Sequence, residues 1–157
     1  MDTIPITVEG FNRLKAELEK LKTVDRKEIV EAIQEARSHG DLSENAEYDA
    51  AKERQGLIEA RISELESKIP RFDVIDTSKM AGDKVMFGAT VELENIDSGE
   101  KKTYKIVGPD EADITKGMVS ILSPLSRAII GKQAGDDVIV QAPGGEIEYE
   151  VVDVKFR

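Results

Sequence analysis

The sequence predicts a two-domain chain: an N-terminal antiparallel α-helical coiled-coil hairpin over residues 1–76 and a C-terminal α+β globular domain over residues 77–157. Three observations carry this. From Glu9 to Ile69 there is no Pro and the only glycines are Gly10, Gly40 and Gly56, so little interrupts a helix. Within that stretch apolar residues recur at alternating spacings of three and four, the seam of a coiled coil. After Ile75 the composition changes to short β-prone runs separated by Gly-containing turns.

In the first helix the seam is Phe11, Leu14, Leu18 and Leu21. It slips near "TVDRKE" and resumes at Ile29, Ile33 and Ala36, the mark of a four-residue stutter or a short break. Gly40 suits the left-handed residue that ends a helix, and the chain turns back there. The second seam is Ala51, Gln55, Ile58, Ile62, Leu65, Ile69 and Phe72, polar only at Gln55. About thirty residues per helix, at about 1.5 Å each, make a hairpin roughly 45 Å long. Its far tip lies at residues 40–48.

In the second half, "VMFGATVEL", "TYKIVG", "MVSIL", "DVIVQA" and "IEYEVVDVKF" read as strands, with "IDSGEK" and "PGGE" as turns. "SPLSRAIIG" offers Ser123 as N-cap, Pro124 at the first helical position and Gly131 as the stop, which predicts one short helix lying on the sheet. Leu125, Ile129 and Ile130 are expected to face the core. "DTSKMAGDK" is the linker or lead-in strand.

Composition excludes several functions. With no Cys there are no disulfides, thiolate zinc sites or cysteine nucleophiles, in keeping with a reducing compartment. No segment approaches the roughly 18 apolar residues of a membrane span, so a soluble, cytoplasmic protein without membrane contact is expected. The net charge is −10. Residues 1–76 carry 12 basic and 18 acidic side chains and residues 77–157 carry 10 and 14, so neither half hides a basic domain. Independent tight binding to duplex DNA is not expected. Any nucleic acid is met through a partner.

The tip is unusual. "HGDLSENAEYDAA" places Asp41, Glu44, Glu47 and Asp49 within nine positions without an intervening Lys or Arg. Two readings stand side by side. Asp41 and Glu44 have the spacing of a capping box at the start of the second helix, where negative charge also complements the helix dipole; Glu47 and Asp49 are then a solvated face. Alternatively, carboxylates on a stiff rod are delivered to a hard cation held by something else, since Mg²⁺ takes one or two carboxylates together with phosphates and waters. The spacing does not rank them.

Other features invite roles that the sequence does not support. His39 is the only histidine, and beside a helix-ending Gly it reads as a C-terminal cap rather than a general base. "DEAD" at 110–113 stands in a chain without a phosphate-binding G-x-x-x-x-G-K-[ST] loop and too short for a helicase core, so it reads as a domain loop. "GKQAG" lacks the upstream Gly and the Ser/Thr of such a loop.

"HGDLSENAEYDAAKERQ" at a hairpin turn, then "TYKIVGPDEAD", then "SPLSRAIIG" followed by "PGGEIEYEV", resembles the bacterial transcript cleavage factors of the Gre family, most closely the A type. The resemblance spans essentially the whole chain. It implies a transcription elongation factor whose globular domain, similar in fold to FKBP-type prolyl isomerases, binds bacterial RNA polymerase. The hairpin would enter the secondary channel and stimulate Mg²⁺-dependent cleavage of a backtracked RNA 3′ end by the polymerase. On this resemblance the factor is no enzyme itself. Asp41 and Glu44 match the family's acidic pair and would be metal ligands only within the polymerase complex, the Mg²⁺ being shared and none bound by the isolated protein. Arg37 and Lys52 match a basic patch near the RNA or are ordinary solvated side chains, Tyr48 matches a residue for stacking on the RNA or packing at the hairpin end, and Asn45 a brace for the acids. Ser43 stands where some relatives carry a basic residue. Ser123 and Pro124 are expected at the polymerase interface, and the chain is expected to be monomeric.

Two other functions compete. An inhibitory relative would enter the same channel and block it, against which the ordinary D-x-x-E pair argues. A chaperone or isomerase would use the hairpin only as an arm. With four Phe, three Tyr and no Trp in the chain, an aromatic prolyl pocket is poorly supplied.

Overall fold

The structure, a computed structural model, describes residues 2–40 and 45–156. The chain forms two compact units, one of Phe11–Arg71 and the other of Met1–Gly10 together with Phe72–Arg157.

The helical unit contains most of α1 (Val8–Lys20), a π-helical turn (Leu21–Asp25), α2 (Arg26–Ser38), α3 (Ala46–Lys68) and a 3₁₀ turn (Ile69–Arg71). Its core is the predicted seam: Leu14, Leu21, Ile29, Ile33 and Ala36 are buried from the first strand of the hairpin, and Ala51, Ile58, Ile62 and Leu65 from α3. The π turn corrects the expected four-residue stutter. The Arg26 N–H donates to the Leu21 carbonyl, five residues back, so the turn holds one residue more than an α-helix would. Removing that residue from the count converts positions 29, 33 and 36 to 28, 32 and 35. These continue 11, 14, 18, 21 and 25 in unbroken steps of three and four. A single surplus residue is absorbed locally and the seam keeps one face. The Thr23 hydroxyl donates to the Glu19 carbonyl at 2.8 Å, giving a partner to a backbone acceptor in the widened turn.

Charged pairs flank this narrow seam. Arg26 makes two bonds to the Glu59 carboxylate at 2.9 and 2.8 Å, and Arg61 makes two to Glu17 at 2.7 and 3.0 Å while also reaching Glu64. Bidentate guanidinium–carboxylate geometry fixes the relative register of the helices better than a single contact. The Arg61 hydrogen bond holds Glu17 below its ordinary carboxylate range.

In the other unit a five-stranded sheet runs in the order β5-β4-β3-β7-β6, with β3 Ala89–Asn95, β4 Lys101–Val107, β5 Met118–Ser120, β6 Asp137–Ala142 and β7 Gly145–Phe156. Within this sheet β4 and β5 pair in parallel and the other neighbours antiparallel. The register of β3 on β7 shifts between Glu92 and Leu93, and the extra residue is Val152. Val85, Ala89, Val91, Leu93, Ile106, Val119, Ile129, Val138, Val140 and Val151 form the core. The predicted helix is α4 (Pro124–Ile129), with Ser123 capping it and Pro124 at its start. Ile129 enters the core and Leu125 packs against it, but Ile130 is 40% exposed, contrary to expectation, because the helix has already ended there.

The domain boundary differs from the predicted 76/77. Residues 4–7 form β1 and residues 72–75 form β2, a parallel pair with Ile4 opposite Phe72 and Thr7 opposite Ile75. Phe72 therefore belongs to a strand, not to the helical seam. This pair is joined to the sheet through Glu111, the second residue of "DEAD" and only 2% exposed. Its carboxylate accepts from the Thr7 N–H at 2.8 Å, the Thr7 hydroxyl at 2.5 Å and the Gly108 N–H at 2.9 Å. The Thr7 hydroxyl in turn accepts from Gly10 N–H at 3.0 Å. A Cβ at Gly108 would collide with the Pro5 carbonyl, and one at Gly10 with the Glu111 carboxylate, so the close approach requires glycine at both positions.

Candidate functional site

The two ends of the hairpin's turn are defined by their caps. α2 ends at Ser38, with His39 as its C-cap donating its N–H towards the Ala36 and Arg37 carbonyls. Gly40 follows with φ +110, the left-handed region expected of it. Asp41, Ser43 and Glu44, with Leu42 between them, lie outside the described residues.

α3 begins at Ala46 and its N-cap is Asn45. The capping-box reading rests on Asp41 and Glu44, which lie outside the described residues, whereas the N-cap of α3 is Asn45. The cap position is filled by an amide, and it makes two bonds of opposite polarity. Asn45 Oδ1 accepts from the Tyr48 N–H at 3.0 Å, and Asn45 Nδ2 donates to the Ala36 carbonyl at 2.6 Å. One side chain thus satisfies an orphan donor of α3 and an acceptor in the last turn of α2. The amide does both because it carries a donor and an acceptor on separate atoms. An aspartate would keep the first bond and set a negative charge against the carbonyl in the second.

Around this brace the other tip side chains are more open. Tyr48 is half-buried, and the Arg37 guanidinium lies over its ring at 5.9 Å from the centroid. That contact orients Arg37 along the hairpin end by a cation–π attraction. Lys52 is exposed and its ammonium reaches Gln55 Oε1 at 3.2 Å. Glu47 is exposed, as the solvated-face reading expects, and it is also paired: its Oε2 lies 3.0 Å from His39 Nδ1. No spacing rule signals that bond, because the partners stand on different helices across the turn.

The structure therefore brings Arg37, His39, Asn45, Glu47 and Tyr48 together at the end of the hairpin. Ser123 and Pro124 belong to the other unit. Ser123 Oγ accepts from the Ser126 N–H at 3.2 Å and is largely committed to the cap, whereas Pro124 and the neighbouring Leu122, 59% exposed, present their surfaces to solvent. Among the described residues no group of three or more His, Asp or Glu side chains converges to hold a metal ion. Among them, too, no helix is long and apolar enough to cross a membrane.

The chain matches two family models in tandem. Residues 4–74 match the transcription elongation factor N-terminal model of GreA and GreB, and residues 80–156 match the GreA/GreB C-terminal model. It is 57% identical to the transcription elongation factor GreA of Hyphomonas neptunium, over all of this chain and all of that one. It is 56% identical to the GreA of Nitratidesulfovibrio vulgaris (Miyazaki F), over all of this chain and 98% of the relative. Among solved structures, the GreA factor homolog 1 of Thermus thermophilus is 30% identical over 98% of this chain and 99% of that one, with a TM-score of 0.44.

Proposed function

The chain belongs to the GreA/GreB family of transcription elongation factors, and from that premise we propose that it stimulates cleavage of backtracked RNA by bacterial RNA polymerase, delivering Asp41 and Glu44 on the end of its hairpin. One observation supports this above the others: α2 ends at the His39 cap and α3 starts from the Asn45 cap, so two capped helix ends flank the acidic pair in the sequence.

The division of labour follows from the chemistry. Phosphodiester hydrolysis needs an oriented water and charge stabilisation more than it needs a protein nucleophile. Magnesium, when held in the polymerase, polarises the phosphate and acidifies the attacking water. Carboxylates are the hard oxygen donors that such an ion accepts, and two of them complete a site without making one alone. Asp41 and Glu44 fit that donor set. The absence of Lys and Arg between residues 41 and 49 keeps competing positive charge away from it. Arg37 and Lys52, set back along the helices, supply positive charge for the RNA backbone, and Tyr48 an aromatic face for its terminal base. Pro124 and its exposed surroundings dock on the polymerase.

The test uses RNA polymerase stalled in a backtracked complex with 3′-labelled RNA, and compares the parent chain with Asp41→Asn and Glu44→Gln, with binding to polymerase measured alongside. The parent should speed release of short 3′ fragments, and both variants should bind but fail to do so. Equal activity of all three would overturn delivery of the carboxylates. Binding with slowed cleavage by the parent would point to blockade of the channel instead.

A further inference from the structure

We propose that the open edge of β6, with the acidic outer face of the sheet beside it, docks an extended basic segment of a partner protein as an added strand. Two independent observations meet there: a row of like charges that the fold does not compensate, and a strand edge without a neighbour.

The charges follow from the register. Val91, Leu93, Val138, Val140 and Val151 point into the core, so alternation turns the residues between them to the opposite face. On that face Asp137 of β6, Glu150 of β7 and Glu94 of β3 stand directly opposite one another across three adjacent strands, and Glu92 stands opposite Asp153. Like charges so placed destabilise a sheet. Lys155 reaches Asp153 at 3.4 Å, but among the described residues no ion pair involves Asp137, Glu150, Glu94 or Glu92. The helix α4 sends Ile129 into the core on the other face, while Asp137, Ile139 and Glu148 are exposed.

The edge belongs to the same residues. β6 ends the strand order and pairs with β7 alone. A strand paired on one side turns every second residue's N–H and C=O outward. Among the described residues nothing but β7 bonds to the backbone of residues 137–142. Edges are ordinarily guarded by shortness, Lys, Pro or a bulge. The opposite edge, β5, has only three residues, whereas β6 has six, "DVIVQA", with Asp137 at one end as its sole charge and Ile139, 56% exposed, within it.

This arrangement selects its occupant. A strand laid along β6 sets alternate side chains opposite Asp137, Ile139 and Gln141. Lysine or arginine at such positions answers the Asp137–Glu150–Glu94 row, and an apolar residue between them covers Ile139. A helix cannot use the edge's backbone groups. The β6 of a second copy would bring acid against acid, and nucleic acid is itself an anion.

The test titrates the full-length chain with a short synthetic peptide alternating Lys and Val, followed by ¹⁵N–¹H spectra and amide exchange. A second peptide has the same sequence with the backbone amides of one edge N-methylated, which keeps the charge and prevents strand pairing. Shifts should be confined to β6, β7 and β3, exchange of the β6 amides should slow, and N-methylation should weaken binding by about 10-fold or more. Asp137→Asn combined with Glu150→Gln should weaken binding by roughly 3- to 10-fold while leaving the free chain at least as stable in urea. Ile139→Lys, which guards the edge, should fold normally and bind the peptide less. No binding, equal affinity for the N-methylated peptide, or shifts scattered over other acidic surfaces would each overturn the docking edge. So would destabilisation by Asp137→Asn with Glu150→Gln, because the charges would then serve the fold.

Discussion

Two acidic stretches of this chain look alike in sequence, and the proposed function assigns them opposite uses. "PDEAD" in the sheet unit contains Glu111, almost wholly buried, accepting from three donors and joining β1 to the sheet. "GDLSENAEYD" at the hairpin's end contains Asp41 and Glu44, which lie outside the described residues, and Asn45, which caps α3. A buried carboxylate persists only where donors compensate its desolvation. Its presence is then explained by the fold. On the proposed function Asp41 and Glu44 serve something outside the chain, and that contrast would separate a structural acid from a functional one without reference to their spacing.

The sharpest way to break the contrast is to remove one acid from each stretch. Glu111→Ala leaves the Thr7 and Gly108 N–H groups buried without partners and should cost about 3 kcal/mol or more in urea unfolding. Glu44→Ala should change stability by less than about 0.5 kcal/mol while abolishing stimulated cleavage. Equal costs would erase the distinction. A smaller effect is expected at Asn45, which belongs to both categories. Asn45→Ala should destabilise by about 1 kcal/mol through the lost cap. Asn45→Asp should restore the bond to Tyr48 but not the one to Ala36, and so recover stability only in part. The smallest effect lies along the hairpin, where charges are neither buried nor delivered. Arg61 depresses Glu17 below its ordinary value near 4.5, so the folded state binds fewer protons than the unfolded one as pH falls through that range. The pair's contribution is present above that pH and is lost below it. Both side chains are more than a third exposed, which limits the contribution to below about 1 kcal/mol. Glu17→Gln should flatten that part of the stability profile as pH falls below the ordinary carboxylate value, as followed by chemical denaturation at each pH.

What could be read from the sequence was whatever repeats locally. The seam from Leu14 to Ala36 and from Ala51 to Leu65, the strands of the sheet and the Ser123 cap each leave a signature within a few residues. β1 and β2 do not: each has four residues, Pro5 interrupts the first, and their pairing joins positions 68 apart. Glu111 was hidden for the same reason, since its partners include Thr7, 104 positions away. At the tip the residue types were legible, but the spacing left the start of α3 open, because the Asn45 cap is completed by the Ala36 carbonyl across the turn. The His39–Glu47 bond is likewise a product of the antiparallel arrangement.

The π turn at Leu21–Asp25 bears on how such a rod tolerates change in its sequence. An inserted residue in a continuous α-helix turns everything beyond it by about 100°, which would swing Ile29, Ile33 and Ala36 out of the seam and point the tip's chemistry in another direction. Here the surplus is discharged within five residues, and the phase of the helix beyond is the same as if the residue were missing. The turn acts as an expansion joint. Length can vary by one residue near the base while the bearing of the working end stays constant.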